Sequence, residues 1–288
     1  KVVMSAAGPF ARYSTKVVEA CVEHKTHYTD ITGENHWVKG LIDRFHEKAA
    51  LDGTRIIPSC GYDSIPSDLG AYFSVTRTGK PVKHVTVYQS ALGSASGGTT
   101  ETMFTMGPLP KEMRDPFLLN PENSVSKSQR EKSKDTFSVK KIPGTDSYSG
   151  MGMMAFANTR VVRRSAALFD LNQKPYGADF TFSELGSFSS KSTARFASFA
   201  LMSAFLVIAT PLRRIVRPLL PKPGEGPSKE ARDKGWFKGL FVVETEDGEE
   251  RRFEIAGSGD PGYKSTSKMV CESALTLAFS EDLPFGEG

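Results

Sequence analysis

The sequence has few cysteines and no spacing that would pair them. Cys21, Cys60 and Cys271 are the three cysteines in 288 residues, and no Cys-x-x-Cys pattern occurs. An odd number of widely separated cysteines predicts neither a disulfide framework nor a metal site, and it favours a reducing compartment. The histidines are His24, His27, His36, His46 and His84. They show no metal-ligand spacing, so the sequence predicts no bound metal.

A dominant charge of one sign is also missing. Lysine and arginine number 37 against 33 aspartates and glutamates, which gives a formal net charge of +4. This balance does not indicate a nucleic-acid partner. Hydrophobic residues make up 39% and charged residues 24%, as is typical of a globular chain. The length suffices for one large domain or two ordinary ones.

A starting methionine and a leader segment are absent too. The chain begins at Lys1 and enters an apolar strand at Val2, without the basic start, apolar core and cleavage site of a signal peptide. We expect the native N terminus to lie upstream, so localisation cannot be read from this end.

The stretch from Val2 to Cys21 organises the first part of the chain. It predicts a buried strand, a turn at residues 7–10 and a helix. Gly8 lets another group approach the backbone, and Pro9 suits the first turn of a helix. Ligands of open α/β sheets bind outside the carboxyl ends of the strands, so this turn is placed to touch a ligand. A tight strand-to-helix turn without any ligand is the alternative.

Strands and helices alternate over residues 1–79. The predicted helices cover residues 15–23 and 37–51, and the predicted strands cover 26–31 and 54–59. Ser67 is expected to cap a further helix. Strands joined by helices on short loops predict a parallel sheet, although three strands are too few for a complete doubly wound sheet.

The pattern changes from Lys80 onward, and we place a second domain at residues 80–288. Its predicted elements are strands over 82–88 and 176–184, a hairpin over 235–255 with an Asp-Gly turn, and a last helix that buries Met269, Val270, Ala274, Leu275 and Leu277. Residues 120–141 are rich in Ser, Lys, Asn and Glu, which predicts an exposed, mobile insertion.

The most apolar run, residues 196–212, begins at Phe196 and ends at Leu212. It is hydrophobic all round but shorter than the roughly 20 residues that a spanning helix needs. Basic residues and a Pro/Gly hinge follow, so the segment 196–227 combines an apolar helix with a basic border. This combination predicts contact with a membrane or lipid-droplet surface. A buried helix, or a homodimer contact with a solvated basic edge, is the alternative.

Seven groups of motifs follow one order along nearly the whole chain. They are GPF at 8–10 with the helix after it, YTDITGE at 28–34, PSCGYDSIPSD at 58–68, SGGT at 96–99, VRRS at 162–165, PKPGEGP at 221–227, and GDPGY at 259–263 with ESAL at 272–275. Together they resemble the saccharopine dehydrogenase-like oxidoreductases, which include bacterial trans-acting enoyl reductases. Each motif is modest, and their common order carries the resemblance.

The resemblance implies a fold of the α/β class, in which a partial Rossmann-type parallel sheet precedes an α+β domain with a mixed or antiparallel sheet. It also implies an NADP or NAD cofactor and an oxidoreductase of lipid or glycolipid metabolism acting on a hydrophobic carbonyl or enoyl substrate. A lipid-droplet or membrane-associated binding protein with a non-catalytic Rossmann fold is the alternative, and otherwise we expect a cytoplasmic protein.

The chain departs from this family at both ends. The family opens with a strand and a Gly-rich phosphate turn, neither of which precedes Lys1, and it continues beyond the last helix, whereas this chain stops at Gly288. We therefore expect an internal piece of a longer protein. The phosphate turn supplies N–H groups to the pyrophosphate, so the piece alone should bind NAD(P) weakly or not at all and should be inactive.

Three loops, residues 7–10, 30–34 and 60–63, are expected to meet at the carboxyl edge of the first sheet. We assign the cofactor side to Ala7, Gly8, Pro9, Phe10 and Gly61. The candidate catalytic residues are Tyr28, Asp30 and Asp63, the ionisable groups nearest the crevice. Each could donate a proton if its pKa is shifted. The alternative is that a loop aspartate only bonds its own turn. Cys60 follows a strand as a nucleophile could, but no base lies next to it in the sequence, and the notion that it is a small buried filler is favoured.

Overall fold

The computed structural model describes residues 1–93, 111, 114–135, 137–217, 226–280 and 283. The first sheet contains β1 (Val2–Ser5), β2 (His27–Asp30) and β3 (Ile56–Ile57), and the second contains β4 (Val82–Leu92), β5 (Tyr148–Gly150), β6 (Thr181–Phe188), β7 (Trp236–Thr245) and β8 (Glu250–Ser258). The helices are α1 (Phe10–Tyr13), α2 (Thr15–Glu23), α3 (Asn35–Asp52), α4 (Ile65–Thr78), α5 (Lys127–Lys132), α6 (Ala155–Leu171), α7 (Lys191–Ile208), α8 (Arg213–Val216), α9 (Lys229–Lys234) and α10 (Thr266–Phe279). The predicted loop at 96–99 and most of the motif at 221–227 lie outside the described residues.

The first sheet is parallel, as its alternating strands and helices predicted. Its strand order is β1-β2-β3, and Met4 pairs with Thr29 across the first two strands. Strand β3 is two residues long, whereas the sequence predicted 54–59. The shortening has a backbone cause: Pro58 has no N–H to donate, and Ser59 has a φ of 66°, which turns the chain out of the sheet.

Helix ends in this half are set by the backbone. The chain leaves α3 through Gly53 and α4 through Gly79, whose φ angles of 66° and 65° lie in the left-handed region that glycine adopts freely. Helix α4 begins at Ile65, with Pro66 in its first turn. The prediction that Ser67 caps this helix is therefore wrong, because Ser67 lies inside the first turn and is buried.

The second sheet is mixed, with strand order β5-β6-β4-β7-β8. Strands β4 and β6 are parallel, and the other neighbours are antiparallel, including the predicted hairpin of β7 and β8. The strand predicted over 176–184 begins at Thr181. The preceding residues pack in the core, where Tyr176 and Phe180 meet edge to face at 5.0 Å. The predicted fold class, a parallel sheet followed by a mixed sheet, is confirmed.

Two apolar clusters support the two sheets. One joins α2, α3 and the Phe10 turn, with Tyr28 and Trp37 at its centre. The other joins α4 and α6 to β4, β6 and β7, with Phe182 and Phe241 fully buried. Helix α4 follows the first sheet in the chain but packs on the second. The loop between β3 and α4 therefore lies where the two sheets meet.

Three segments for which the sequence predicted exposure or burial are residues 120–141, α7 and α10. Residues 120–141 lie mostly at the surface and contain α5. Helix α7 packs on β5 and β6 through buried Ala194 and Ser198, but most of its apolar side chains are exposed. In α10, Val270 and Leu277 are buried, whereas Leu275 is 48% exposed. The expectation that Leu275 faces inward is wrong, because α10 buries only the narrow stripe that meets β1 and β2.

Candidate functional site

The three predicted loops meet at the carboxyl edge of the first sheet. The Phe10 N–H donates to Oε1 of Glu34 at 2.7 Å, which joins the first loop to the second. The Cys60 N–H donates to the carbonyl oxygen of Asp30 at 2.6 Å, which joins the second loop to the third. The side chain of Ser59 adds a hydrogen bond to the Thr32 carbonyl at 2.8 Å. The expected convergence of the loops is thus present as backbone and side-chain hydrogen bonds.

Asp30 lies at the centre of this cluster and is fully buried. Its Oδ1 accepts the N–H groups of Thr32 and Ser59, each at 2.9 Å. Burial raises the pKa of Asp30 to about 6, although these two backbone donors act in the opposite direction. Its Oδ2 is buried and makes no hydrogen bond within the described chain. Asp30 therefore fixes two loops in place and is closed off from solvent.

Glu34 is a second buried carboxylate of the cluster, at 1% exposure. It accepts from Phe10 and also from the Ala11 N–H at 3.1 Å, and its own N–H donates to the Thr32 hydroxyl. Sequence reasoning quoted Glu34 within a motif but gave it no role. The two N–H groups that donate to its carboxylate lie more than 20 residues away, so the spacing held no signal for these contacts.

The turn after β1 leaves an open backbone surface. Ala6, Ala7 and Gly8 are exposed, whereas Pro9 and Phe10 are buried, and Phe10 packs on Trp37 with ring centroids 5.9 Å apart. Small exposed residues beyond the carboxyl end of a strand fit the flat nicotinamide end of a dinucleotide, since no side chain of size blocks its approach. The buried Pro9 and Phe10 would support this surface from beneath.

Tyr28 and Gly61 lie deeper than the sequence suggested. Tyr28 is fully buried in the cluster around α2 and α3, and burial, together with the nearby Asp30 carboxylate, raises the pKa of its hydroxyl well above its usual range. A Cβ on Gly61 would lie 3.3 Å from Thr266 and 3.4 Å from Ile31. Packing therefore accounts for both residues in this structure.

Asp63 lies in the third loop and interacts electrostatically with Glu184, which belongs to a polar network that sequence reasoning missed. Ser67 donates to Oε2 of Glu184 at 2.7 Å, and Nδ2 of Asn158 donates to both carboxylate oxygens at 2.9 and 3.0 Å. Burial raises the pKa of Glu184 to about 7, and the charge of Asp63 adds to the rise. Burial also raises the pKa of the half-buried Asp63 to about 6. The site thus contains two carboxyl groups whose pKa values lie above the ordinary range, about 6 for Asp63 and about 7 for Glu184.

A signal for Glu184 existed in the sequence. In β6, Phe182 and Glu184 are two positions apart and both are buried, so they share the inner face of the sheet. A glutamate at an inward position of an apolar strand indicates a buried polar network.

Cys60 has the environment of a small buried filler. Its thiol donates to the Ile57 carbonyl, and burial raises the pKa of the thiol to about 12.

Comparisons with known proteins show which proteins the chain is similar to. No family model matches it. A protein of Mycobacterium tuberculosis strain H37Rv with the provisional name trans-acting enoyl reductase is 33% identical over 309 residues, which cover 98% of this chain and 72% of the relative. The trans-acting enoyl reductase of Mycobacterium ulcerans is 33% identical over 311 residues, with the same coverage. The structure of apo saccharopine dehydrogenase (L-Glu forming) from Saccharomyces cerevisiae aligns over 99% of this chain and 78% of its own, at a TM-score of 0.46 and 13% identity.

The names of these mycobacterial relatives describe enoyl reductases, which are oxidoreductases. The identity and the coverage place it further: the chain belongs to the family of the trans-acting enoyl reductases. The order of its motifs predicted this membership.

Proposed function

We propose that the chain forms the catalytic part of an NAD(P)-dependent reductase that acts on a hydrophobic enoyl or carbonyl substrate of lipid metabolism. The observation that carries this proposal is that the exposed Ala6–Gly8 backbone lies at the carboxyl edge of the first sheet, where hydrogen bonds join its turn to the loop of Asp30 and that loop to the one that carries Asp63. The names of the mycobacterial relatives support the enoyl substrate.

The proposed reaction needs a hydride and a proton. Reduction of an enoyl group adds a hydride to the β-carbon and a proton to the α-carbon, and a nicotinamide cofactor supplies the hydride when it is bound. Asp63 is the proton donor of this proposal, because it is only half-buried and lies in a loop of the carboxyl edge. Glu184 is buried, and the charge of Asp63 contributes to its raised pKa, so the two carboxyl groups interact electrostatically.

The remaining residues of the cluster position these groups. Glu34 fixes the turn that carries Gly8, and Asp30 fixes the loop that leads to Asp63. Because both carboxylates accept backbone N–H groups, they hold the loops without occupying the surface where a nicotinamide would lie. Fixed loops keep the reacting groups in line, and this is the protein's main contribution to hydride transfer.

A titration followed by a turnover assay tests this function. NADPH and NADH binding is measured by fluorescence on this chain and on a form extended upstream to the native methionine. NADPH loss is then followed with a 2-octenoyl thioester as substrate. We expect the extended form to bind and to consume NADPH only with the enoyl substrate. If neither form binds a dinucleotide, the non-catalytic binding protein replaces the enzyme as the better proposal.

We propose a second property, attachment to a membrane or lipid-droplet surface through α7. Among the described residues, α7 is the helix long and apolar enough to cross a membrane, with a mean hydropathy of 1.2 and 11% of its residues buried. Phe196, Phe199 and Leu206 are 74%, 67% and 67% exposed. Arg213 and Arg214 follow on α8. Apolar side chains next to arginines suit the interface of an anionic bilayer.

Flotation with phosphatidylserine-containing vesicles tests the attachment. We expect the chain to float and Phe199→Asp to remain at the bottom, while Leu51→Asp, at an apolar site 89% exposed on α3, floats like the unaltered chain. Sedimentation of the free protein distinguishes the homodimer alternative. A stable dimer that Phe199→Asp splits, together with no flotation, would assign the α7 surface to self-association instead.

A further inference from the structure

Strand β8 is the outermost strand of the second sheet on one side. In the part of the chain that the structure describes, it forms a ladder only with β7. The strand is nine residues long, from Glu250 to Ser258, and contains no proline. A long strand at the margin of a sheet offers a row of N–H and C=O groups to another strand. A further strand can therefore pair with β8 on its outer side.

Every second residue of β8 directs its backbone groups to that outer side. The Thr245 N–H donates to the Glu249 carbonyl at 3.0 Å, and the Gly259 N–H donates to the Gly235 carbonyl at 2.8 Å, at the two ends of the ladder. Residues that bond the partner strand alternate with residues that do not, so the odd-numbered residues of β8 bond β7. The residues with outward backbone groups are Glu250, Arg252, Glu254, Ala256 and Ser258.

The charged side chains of these outward residues alternate in sign. Glu250, Arg252 and Glu254 are exposed and share the outer face of the sheet. Arg252 pairs with Glu250 at 2.6 Å and donates to the Pro143 carbonyl at 2.8 Å, while Glu254 pairs with Lys238 at 2.6 Å. Contacts within the chain thus hold opposite charges at neighbouring outward positions along the margin.

An exposed apolar strip accompanies β8 on the inner face of the sheet. Phe253 of β8 meets Phe73 of α4 edge to face, with ring centroids 6.0 Å apart. Phe73 is 39% exposed, and Leu69, one turn earlier on the same side of α4, is 54% exposed. Phe253 and Ile255 are only partly buried. The apolar core therefore reaches the margin of the sheet and is left partly open there.

The charge order of β8 is complementary to itself. When an antiparallel strand pairs with its own copy about a two-fold axis at Phe253, Arg252 of each copy lies opposite Glu254 of the other. Phe253 then lies opposite Phe253 on the inner face. Opposite charges in facing positions stabilise a pair of strands, and like charges destabilise it. Moving the axis by one residue puts either Arg252 or Glu254 opposite its own copy, so the charges favour the axis at Phe253.

We propose that the chain forms a two-fold symmetric homodimer in which β8 pairs antiparallel with β8 of a second copy. The two second sheets become one continuous sheet, the Arg252–Glu254 pair forms twice, and each copy covers the apolar strip of the other at Phe73 and Phe253. The contact needs neither cofactor nor substrate, so it is independent of the proposed reductase activity. It also differs from a contact through α7, which packs on β5 and β6 at the opposite side of the sheet.

Charge reversal with sedimentation velocity tests the dimer. We expect the unaltered chain to dimerise in a dilution series, and Arg252→Glu to weaken the dimer about tenfold or more, because two attractive pairs become repulsive. Glu254→Arg should have the same effect. The double variant, with Arg252→Glu and Glu254→Arg together, restores opposite charges and should dimerise like the unaltered chain. Lys48→Glu, the same change of charge at an exposed site on α3, is the matched control.

Several outcomes would overturn the proposal. One is a monomer at every concentration. Another is a dimer that Arg252→Glu leaves unchanged or that Phe199→Asp splits, because such a dimer forms through other residues. A double variant that has the circular dichroism of the folded chain but stays monomeric would show that these charges do not face each other.

Disulfide crosslinking tests the register. Cys271→Ser removes the exposed thiol and leaves only buried cysteines. In this background Phe253→Cys places two thiols on the axis, where facing Cα atoms of a non-hydrogen-bonded pair are about 4.5 Å apart, a distance that a disulfide spans. Ile255→Cys is the matched control, because its two copies would lie about 14 Å apart along the strands. We expect oxidation to crosslink the first variant and not the second, and equal behaviour of the two would overturn the proposed pairing.

Discussion

Glu34 and Phe10 connect two loops that lie 24 residues apart in the sequence, because the Glu34 carboxylate accepts the Phe10 N–H at 2.7 Å. The same carboxylate accepts the N–H of Ala11. A single side chain thus fixes the turn that presents the exposed backbone of Ala7 and Gly8. Stability and cofactor binding should both depend on it.

We predict that Glu34→Ala lowers the free energy of unfolding by about 2–4 kcal/mol, because the buried N–H of Phe10 and the part-buried N–H of Ala11 lose their acceptor. Glu34→Gln should lose less, since its amide oxygen can keep one bond. Urea unfolding measures both. Glu23→Ala, at an exposed site on α2, serves as the control and should stay within about 0.5 kcal/mol of the unaltered protein. If Glu34→Ala and Glu23→Ala lower the free energy of unfolding equally, the Glu34 carboxylate does not stabilise the turn at Phe10.

Between pH 8 and pH 6.5, we predict that the free energy of unfolding rises as the pH falls. The raised pKa of Glu184, about 7, means that the folded protein takes up a proton before the unfolded chain does, so the cost of its buried charge is relieved over this range. Glu184→Gln should flatten the dependence. The range ends at pH 6.5 because His36 and His84, whose pKa values burial lowers, oppose the effect below it. Urea midpoints across the range give the slope, and an unchanged slope in Glu184→Gln would rule out this source.

Asp63→Asn should reduce kcat for NADPH-dependent enoyl reduction about 100-fold in the upstream-extended protein, because the amide cannot donate the proton that the α-carbon receives. NADPH affinity should be unchanged, since Asp63 is not placed on the cofactor surface. Asp63→Glu should restore part of the rate. Asp146→Asn, at a fully exposed site, is the matched control. Full activity of Asp63→Asn would move the proton donor to another residue.

Two glycine substitutions should have opposite effects. A Cβ at Gly70 of α4 would lie 2.2 Å from the Phe241 ring, which is fully buried, so Gly70→Ala should destabilise the fold by about 1–3 kcal/mol. Gly40 lies in α3 and has no atom within 4 Å of the position of its Cβ. Gly40→Ala should therefore stabilise the fold by about 0.5–1 kcal/mol through helix propensity. Thermal melts compare the two, and stabilisation by both would show that α4 does not pack on β7 as described.

The sequence predicted the fold where local patterns decide it. Apolar spacing gave α2 with its observed limits, and the Asp-Gly turn gave the hairpin of β7 and β8. The sequence predictions were wrong where contacts between distant residues or an unusual backbone conformation decide the structure. Strand β3 ends early because Ser59 has a left-handed φ, and Ser67 does not cap α4 because the helix already begins at Ile65.

The candidate site divides in the same way. The alternation of strands and helices predicted the meeting of the three loops, because the carboxyl ends of parallel strands share one edge. The contacts of Glu34 and Glu184 arise from pairs of residues far apart in the chain, and no spacing rule relates them. The burial of Tyr28 depends on which face of β2 packs against α2 and α3. That choice is made by tertiary packing, so the sequence alone placed the tyrosine too near the crevice.

Strand β1 lies at the margin of the first sheet and, within the described chain, forms a ladder only with β2. Its outer N–H and C=O groups are arranged as a template for one more parallel strand. A peptide of matching alternation, or an upstream extension of the polypeptide, could join there without moving the loops at the carboxyl edge. A strand added beside β1 would therefore extend the first sheet and leave the loops at its carboxyl edge in place.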